Sequence, residues 1–178
     1  MSEANMILNA GAIQRALIRI AHEIAERNEA GQGVVLIGIQ AGGAPMARRL
    51  AKLLGEIWGR PVPLGFVDVS MHRDDTARRL PQTIHPTDIP GDITGRTVVL
   101  VDEVLFRGRT VRAALDSLND FGRPQRVQLA VLIDRGHREL PIKADFVGKS
   151  VPTAAAENIR VYWTERGQPA DAVILEKP

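Results

Sequence analysis

Ile13, Ala16, Leu17, Ile20, Ala21 and Ile24 recur at the spacing of one helical face and predict an amphipathic helix over Ile13–Arg27. Gly31-Gln32-Gly33 supplies the stop and the turn that follows. Val34–Ile39 (VVLIGI) has a different pattern, an unbroken apolar run rich in β-branched residues, which suits a strand buried on both faces. It leads into the loop Gln40-Ala41-Gly42-Gly43, a helix from about Ala44 to Trp58, and a strand over Pro61–Val69. The next stretch, Ser70–Asp92, is polar and aperiodic and includes Arg73, Asp74 and three prolines. Structureless runs of about 20 residues are uncommon in compact domains unless they are functional or mobile.

The alternation then resumes. Thr97–Val101 (TVVLV) predicts a buried strand ending at Asp102-Glu103, and a helix follows from near Thr110, with Val111, Ala114, Leu115 and Leu118 on its apolar face. Gly122 and Pro124 close that helix in the expected order. Arg126–Ile133 (RVQLAVLI) is a further strand, and shorter apolar runs lie at Ala144–Val147, Ile159–Trp163 and Ala172–Leu175. Strands alternating with helices imply an α/β fold with a mostly parallel sheet covered on both faces. In such sheets ligands bind at the carboxyl ends of the strands, where the polar clusters after Ile39, Val69, Val101 and Ile133 fall.

The length of 178 residues predicts one domain spanning residues 1–178, and no disulfide or metal staple is needed at this size. With 44% hydrophobic and 25% charged residues, the composition excludes disordered, collagen-like and disulfide-scaffold classes. The lack of cysteine excludes thiolate zinc sites and a cysteine nucleophile, and is compatible with a reducing cytoplasm. No apolar run reaches the roughly 20 residues of a membrane span, so no membrane partner is expected. A net charge of +2 does not announce a nucleic-acid binder. The basic residues are, however, 19 Arg to 4 Lys, a bias compatible with phosphate ligands and equally with the base composition of the source genome.

The densest chemistry lies in Thr97–Thr110, TVVLVDEVLFRGRT. Consecutive side chains at a strand end point apart, so Asp102 and Glu103 cannot serve as a paired acid and base on one atom. They suit two hydroxyls of a sugar, or a metal-bound water. The following loop places backbone N–H groups and a helix N-terminus where an anion can sit, with Gly108 allowing close approach and Thr110 adding a hydroxyl. Together these describe a ribose-5-phosphate site. The alternative is a strand–turn–helix with solvated acids and Thr110 as an N-cap. Neither a Walker A loop nor a Rossmann glycine fingerprint is present.

VVLVDEVLFRGRT resembles the phosphoribosyl-diphosphate (PRPP) signature of type I phosphoribosyltransferases. The segments ALIRIAHEIAERN (16–28), DVSMHRDD (68–75), DIPGDIT (88–94) and QLAVLIDRGHRELPIKADFVGK (128–149) extend the resemblance over nearly the whole chain. Together they are similar to the PyrR-type family of pyrimidine-operon attenuation regulators that are also uracil phosphoribosyltransferases. The resemblance implies a type I phosphoribosyltransferase fold, with a mostly parallel sheet flanked by helices and a small hood formed by the chain ends. It also implies a dimer or larger homo-oligomer.

The implied reaction is attack of uracil on C1 of PRPP, which releases Mg²⁺-bound pyrophosphate and gives UMP. Asp102 and Glu103 match the acidic pair that holds the ribose hydroxyls and, through water, Mg²⁺. Arg107, Gly108, Arg109 and Thr110 match the 5′-phosphate loop, and Gln40, Ala41, Gly42 and Gly43 match the pyrophosphate loop. Arg73 and Asp74 match the mobile loop that closes over PRPP, and Asp134 and Arg135 match the segment beside the uracil. Two departures stand out. The family usually shows Thr-Arg-Gly where this chain has Ala41-Gly42-Gly43, and Tyr-Thr-Gly where it has Phe106-Arg107-Gly108. Glu103 in place of a second Asp is milder. Loss of an arginine beside pyrophosphate removes a charge-assisted hydrogen bond, on the order of 1.5–3 kcal/mol. The expectation is weakened or lost PRPP turnover with UMP binding retained.

The resemblance further implies an RNA-binding face at Arg15, Arg19, His22, Arg27, Arg138, Lys143 and Lys149. Its target would be a hairpin loop of pyr leader mRNA, bound more tightly when UMP or UTP is bound. Taken alone, Arg15, Arg19 and His22 read as a solvated helix face, with Glu23 four residues from both Arg19 and Arg27. His22, His72, His85 and His137 share no metal-ligand spacing. Trp58, Tyr162 and Trp163 are too dispersed for a base-stacking platform and read as core or subunit contacts.

Overall fold

A computed structural model describes residues 4–71 and 83–178 of the chain. Arg73 and Asp74, expected in the closing loop, lie outside the described residues. The elements in order are β1 (Ala4–Asn9), α1 (Ala10–Arg27), β2 (Val34–Ile39), α2 (Gly43–Trp58), β3 (Leu64–Val67) and β4 (Thr97–Leu105). They continue with α3 (Arg109–Leu118), β5 (Arg126–Asp134), β6 (Phe146–Ser150), β7 (Asn158–Tyr162) and β8 (Ala172–Glu176).

Five strands form one parallel sheet in the order β3-β2-β4-β5-β6, as the alternating pattern requires. Because successive strand residues face opposite sides, each apolar run feeds two cores. Leu36, Val99, Val101, Ala130 and Leu132 pack with the apolar faces of α1 and α2. Val35, Ile37, Val98, Leu100 and Val131 pack with Val111, Ala114 and Leu118 of α3 on the other side. The chain ends form a second sheet, β1-β8-β7, antiparallel throughout, which is the hood expected from both termini.

Several boundaries differ from the sequence pattern. β1 carries no clear period of its own and is fixed by pairing with β8, which lies more than 160 residues away. α1 starts at Ala10 rather than Ile13 because the Asn9 side chain caps it, accepting from the Ala12 N–H at 2.9 Å. β4 does not end at Val101. It runs on to Leu105, held by pairing of Asp102 with Val131 and of Leu105 with Asp134 of β5. The acidic pair therefore sits inside a strand. β3 is only Leu64–Val67, and its outer edge is met by residue Asp88, which exchanges two 2.8 Å hydrogen bonds with Phe66. β6 begins two residues later than the apolar run at Ala144, where Asp145 instead turns back to accept from the Leu129 N–H at 2.8 Å. Among the described residues, no helix is long and apolar enough to cross a membrane.

Candidate functional site

The carboxyl ends of β2, β3 and β4 open onto a cavity of about 450 Å³, bordered by Gln40–Gly42, Asp68, Asp102, Glu103 and Thr110. A second cavity of about 440 Å³ shares Asp102, Glu103 and Thr110 and extends over Phe106–Arg109 to Arg135 and hood residues Asn158 and Ile159. The 40–43 loop and the 106–110 loop thus meet at the acidic pair of β4. The Gln40–Ala41 peptide is cis.

The two acids part company, as alternation along a strand dictates. Asp102 is 9% exposed, borders both cavities, and accepts the Glu103 backbone N–H at 2.8 Å. Glu103 turns to the hood, where its Oε2 accepts from the indole Nε1–H of Trp163 at 3.0 Å. Burial pushes the Glu103 carboxyl pKa up, and the Trp163 hydrogen bond and the positive charge of Arg166 pull against that rise. The 40–43 loop is shaped to fit beneath it. A Cβ on Gly42 would lie 2.4 Å from Cδ of Glu103, and one on Gly43 would lie 2.2 Å from the Val101 carbonyl oxygen. A side chain at position 42 would thus meet the carboxyl end of Glu103, which would have to give way.

The 106–110 loop is built by β4, α3 and the segment after β5. Gly108 has φ of 95° and is the N-cap of α3, so Thr110 lies in the helix's first turn rather than at its cap. First-turn N–H groups have no intrahelical acceptor and face outward, as an anion site needs. Arg107 and Arg109 both pair with Glu139, at 3.0 and 2.9 Å. Arg138 braces the loop from below. It donates to the Phe106 carbonyl at 2.8 Å, to the Ile142 carbonyl at 2.9 Å and to Asp134 at 2.6 Å. Asp134 is thus occupied by Arg138 and by the Gly136 N–H at 3.0 Å. Arg135 is buried, lies 3.9 Å from the Phe106 ring centroid, and donates to Thr153 and to the carbonyls of Ala154 and Glu157. Burial lowers its pKa, the charge of Glu157 opposes the fall, and that of Arg107 adds to it.

The expected RNA residues divide. α1 lies against β6, and Arg15, Arg19, His22 and Arg27 are exposed along it; Lys149 of β6 is exposed as well, but alternation along β6 puts it with Val147 on the α3 side of the sheet. Arg19 donates to the Val147 carbonyl at 3.1 Å and to that of Gly148, and pairs with Glu23 at 2.9 Å. Arg27 pairs with Asp145 at 3.1 Å beside the Phe146 ring. Lys143 is exposed in the connection before β6. The donors of Arg138 are instead turned to Asp134 and to the carbonyls of Phe106 and Ile142.

Sequence reasoning did not single out Trp163, Arg49, Glu139 or Arg166 as site residues. Glu139 lay within the quoted DRGHRELPI segment. The others gain their place only through the hood's packing.

Residues 3–166 match the family model described as Phosphoribosyl transferase domain. A bifunctional protein PyrR from Roseiflexus sp. (strain RS-1) is 58% identical over 170 residues, covering 95% of this chain and 93% of that one. Another from Chloroflexus aurantiacus is 54% identical, covering 98% of this chain and 97% of its own length. Among solved structures, hypoxanthine phosphoribosyltransferase from Trypanosoma cruzi in complex with the product IMP superposes with a TM-score of 0.73 at 21% identity. That match covers 99% of this chain and 91% of that one and speaks to the fold.

Proposed function

The chain belongs to the phosphoribosyltransferase family, with the type I fold and bifunctional PyrR proteins as its near relatives, and we propose that it follows them in function. On this reading it converts uracil and PRPP to UMP and pyrophosphate, and it binds pyr leader mRNA in response to UMP or UTP. The observation that carries the proposal is the meeting of Asp102 with the glycine-capped start of α3 in one cavity at the sheet's carboxyl edge.

Each part of the site has a task. The N–H groups after Gly108 and the Thr110 hydroxyl hold the 5′-phosphate. Asp102 accepts from the ribose hydroxyls, and its negative charge stabilises the positive charge that grows on the ribose as pyrophosphate leaves. The base lies between the Phe106–Arg135 stack and the hood, out of water. Among the described residues no three ligating side chains gather to hold a metal by themselves. Such a donor set fits a hydrated Mg²⁺ that arrives with PRPP and is bound mainly by substrate oxygens and water, with Asp102 as its protein contact. When bound, the ion neutralises charge on the leaving diphosphate.

RNA binding is favoured by the exposed cations that α1 carries at Arg15, Arg19, His22 and Arg27. Leader RNA hairpins would meet Arg15, Arg19, His22, Arg27 and Lys149, with Lys143 beyond. Assembly into a dimer or larger oligomer belongs to the same reading.

The test is UMP formation from uracil, PRPP and Mg²⁺, run beside RNA binding on one preparation. Both activities support the proposal. RNA binding without turnover points to a regulator without catalysis. Turnover of a purine or orotate in place of uracil points to a transferase of other specificity.

A further inference from the structure

At the opposite end of the five-stranded sheet, where its strands begin, a cleft of about 170 Å³ lies between the end of α2 and the starts of β2, β3 and β4. Trp58, Arg60 and Arg96 border it, glycines, prolines and valines supply the rest, and no described carboxylate lines it. It shares no residue with the two cavities at the carboxyl edge.

The local chain fixes these side chains. α2 ends at Trp58, Gly59 turns left-handed with φ of 67°, and the Arg60 N–H returns to the Gly55 carbonyl at 3.1 Å. The half-buried Trp58 lies against Gly31, where a Cβ would come within 2.4 Å of the indole. The Arg60 guanidinium donates through Nη2 to the Ala30 carbonyl, three residues past the end of α1. That contact answers the partial negative charge of the helix ends nearby, about half an elementary charge each. It leaves the other donors of Arg60 unused. Arg96, half-buried just before β4, makes no side-chain hydrogen bond or ion pair with another described residue, and the Trp58 indole N–H has no partner among them either. The cleft therefore holds positive charge and N–H donors with no acid to balance them.

α1 carries Arg15, Arg19, His22 and Arg27 along roughly 18 Å of helix. Arg27 is its last residue, and the cleft begins where that basic line runs out.

We infer that the Trp58–Arg60–Arg96 cleft is a phosphate site separate from the nucleotide site, placed to take a backbone phosphate of RNA lying along α1. RNA as the source rests on the RNA-binding reading above, whereas the match to phosphate rests on the cleft alone. Two guanidiniums and an indole N–H around one small space suit the oxygens of a phosphate, where a single fork would satisfy a carboxylate. The volume holds one phosphate group with a few waters.

Two measurements on the full chain test this. The first is leader-hairpin binding over a salt series, beside UMP titration, for wild type, Arg60→Met, Arg96→Met and the double variant. Each single variant is expected to weaken RNA binding, and the double variant to lower the salt slope by about 0.7, the amount for one single-strand phosphate, with UMP affinity unchanged. Arg96 has no side-chain partner to lose, so its variant separates binding from folding. The second is emission of Trp58 in Trp163→Phe, where it is the only tryptophan left, titrated with inorganic phosphate, with and without Arg96→Met. A lowered slope assigns the site to RNA. An unchanged slope with an emission change that Arg96→Met abolishes assigns it to free phosphate. An unchanged slope with unmoved emission overturns the site. A wild type that binds no leader RNA, yet shows the Arg96-dependent emission change, overturns the RNA reading and leaves the phosphate site standing.

Discussion

The indole N–H of Trp163 donates a 3.0 Å hydrogen bond to the Glu103 carboxylate, joining residues 60 positions apart. This one contact ties the hood to the central strand of the sheet at the edge of both cavities. Trp163→Phe keeps most of the ring but leaves a largely buried carboxyl without its donor. The expected cost is about 1–3 kcal/mol, read as a lower urea midpoint with an unchanged m-value. An unchanged midpoint would mean that Glu103 finds another partner at no cost.

Gly42 and Glu103 form a steric pair. Gly42→Ala alone drives a methyl group into Glu103 and is expected to destabilise the loop and weaken PRPP binding. Glu103→Asp shortens the opposing side chain by one methylene and gives up the reach to Trp163. In the double variant the methyl group gains room, so its loss should be smaller than the sum of the single losses, a coupling that denaturation of the four proteins measures. Strict additivity would contradict the contact.

Arg49 of α2 forks onto Glu165 at 2.6 and 2.7 Å and onto Asp171 at 2.6 and 3.1 Å, and this fork makes a pH-dependent contribution to stability. Hydrogen bonds from Arg49 hold the carboxyls of Glu165 and Asp171 below their usual range. Their folded-state pKa values lie below the unfolded values of about 3.9–4.3. The stabilisation is thus complete above that range and is lost as pH falls through the folded values. Wild type should lose stability faster than Arg49→Met as pH falls from about 5 towards 2. Parallel curves for the two proteins would show that the fork adds nothing.

Much of the fold was legible in local pattern. β2, β4 and β5 are continuous apolar runs because both faces of the sheet are covered, and α1 and α3 show their buried faces at helical spacing. The strand–acid–glycine–helix order of residues 97–110 was likewise legible, and its acids and glycine border the cavities at the sheet's carboxyl edge. What was not legible depends on long-range packing. β1 becomes a strand by pairing with β8, and β4 is extended past Val101 by its register with β5. The partnership of Glu103 with Trp163, and the approach of Arg166 to the 40–43 loop, arise where the two sheets meet. No local period encodes that junction. Gly42 reads as a lost charge in sequence, and in three dimensions it also lies against the carboxyl end of Glu103.

The basic residues should separate by role. Arg15→Ala and Lys149→Ala are each expected to weaken leader RNA binding and to lower the salt slope by about 0.7–0.9, with UMP affinity unchanged. Arg138→Met removes the brace on the 106–110 loop, the proposed phosphate site, and should weaken UMP binding itself. Filter binding over a salt series, beside UMP titration, checks both. Loss of RNA slope in Arg138→Met with intact UMP binding would place that residue on the RNA face instead.

On the proposed reading, a nucleotide site at the sheet's carboxyl edge governs RNA binding along α1. Its most direct test is the affinity of the wild-type protein for a pyr leader hairpin, measured at fixed salt with and without saturating UMP. The account predicts tighter binding with UMP, in the range of about 5–150-fold typical of coupled sites. An RNA affinity indifferent to UMP would contradict it.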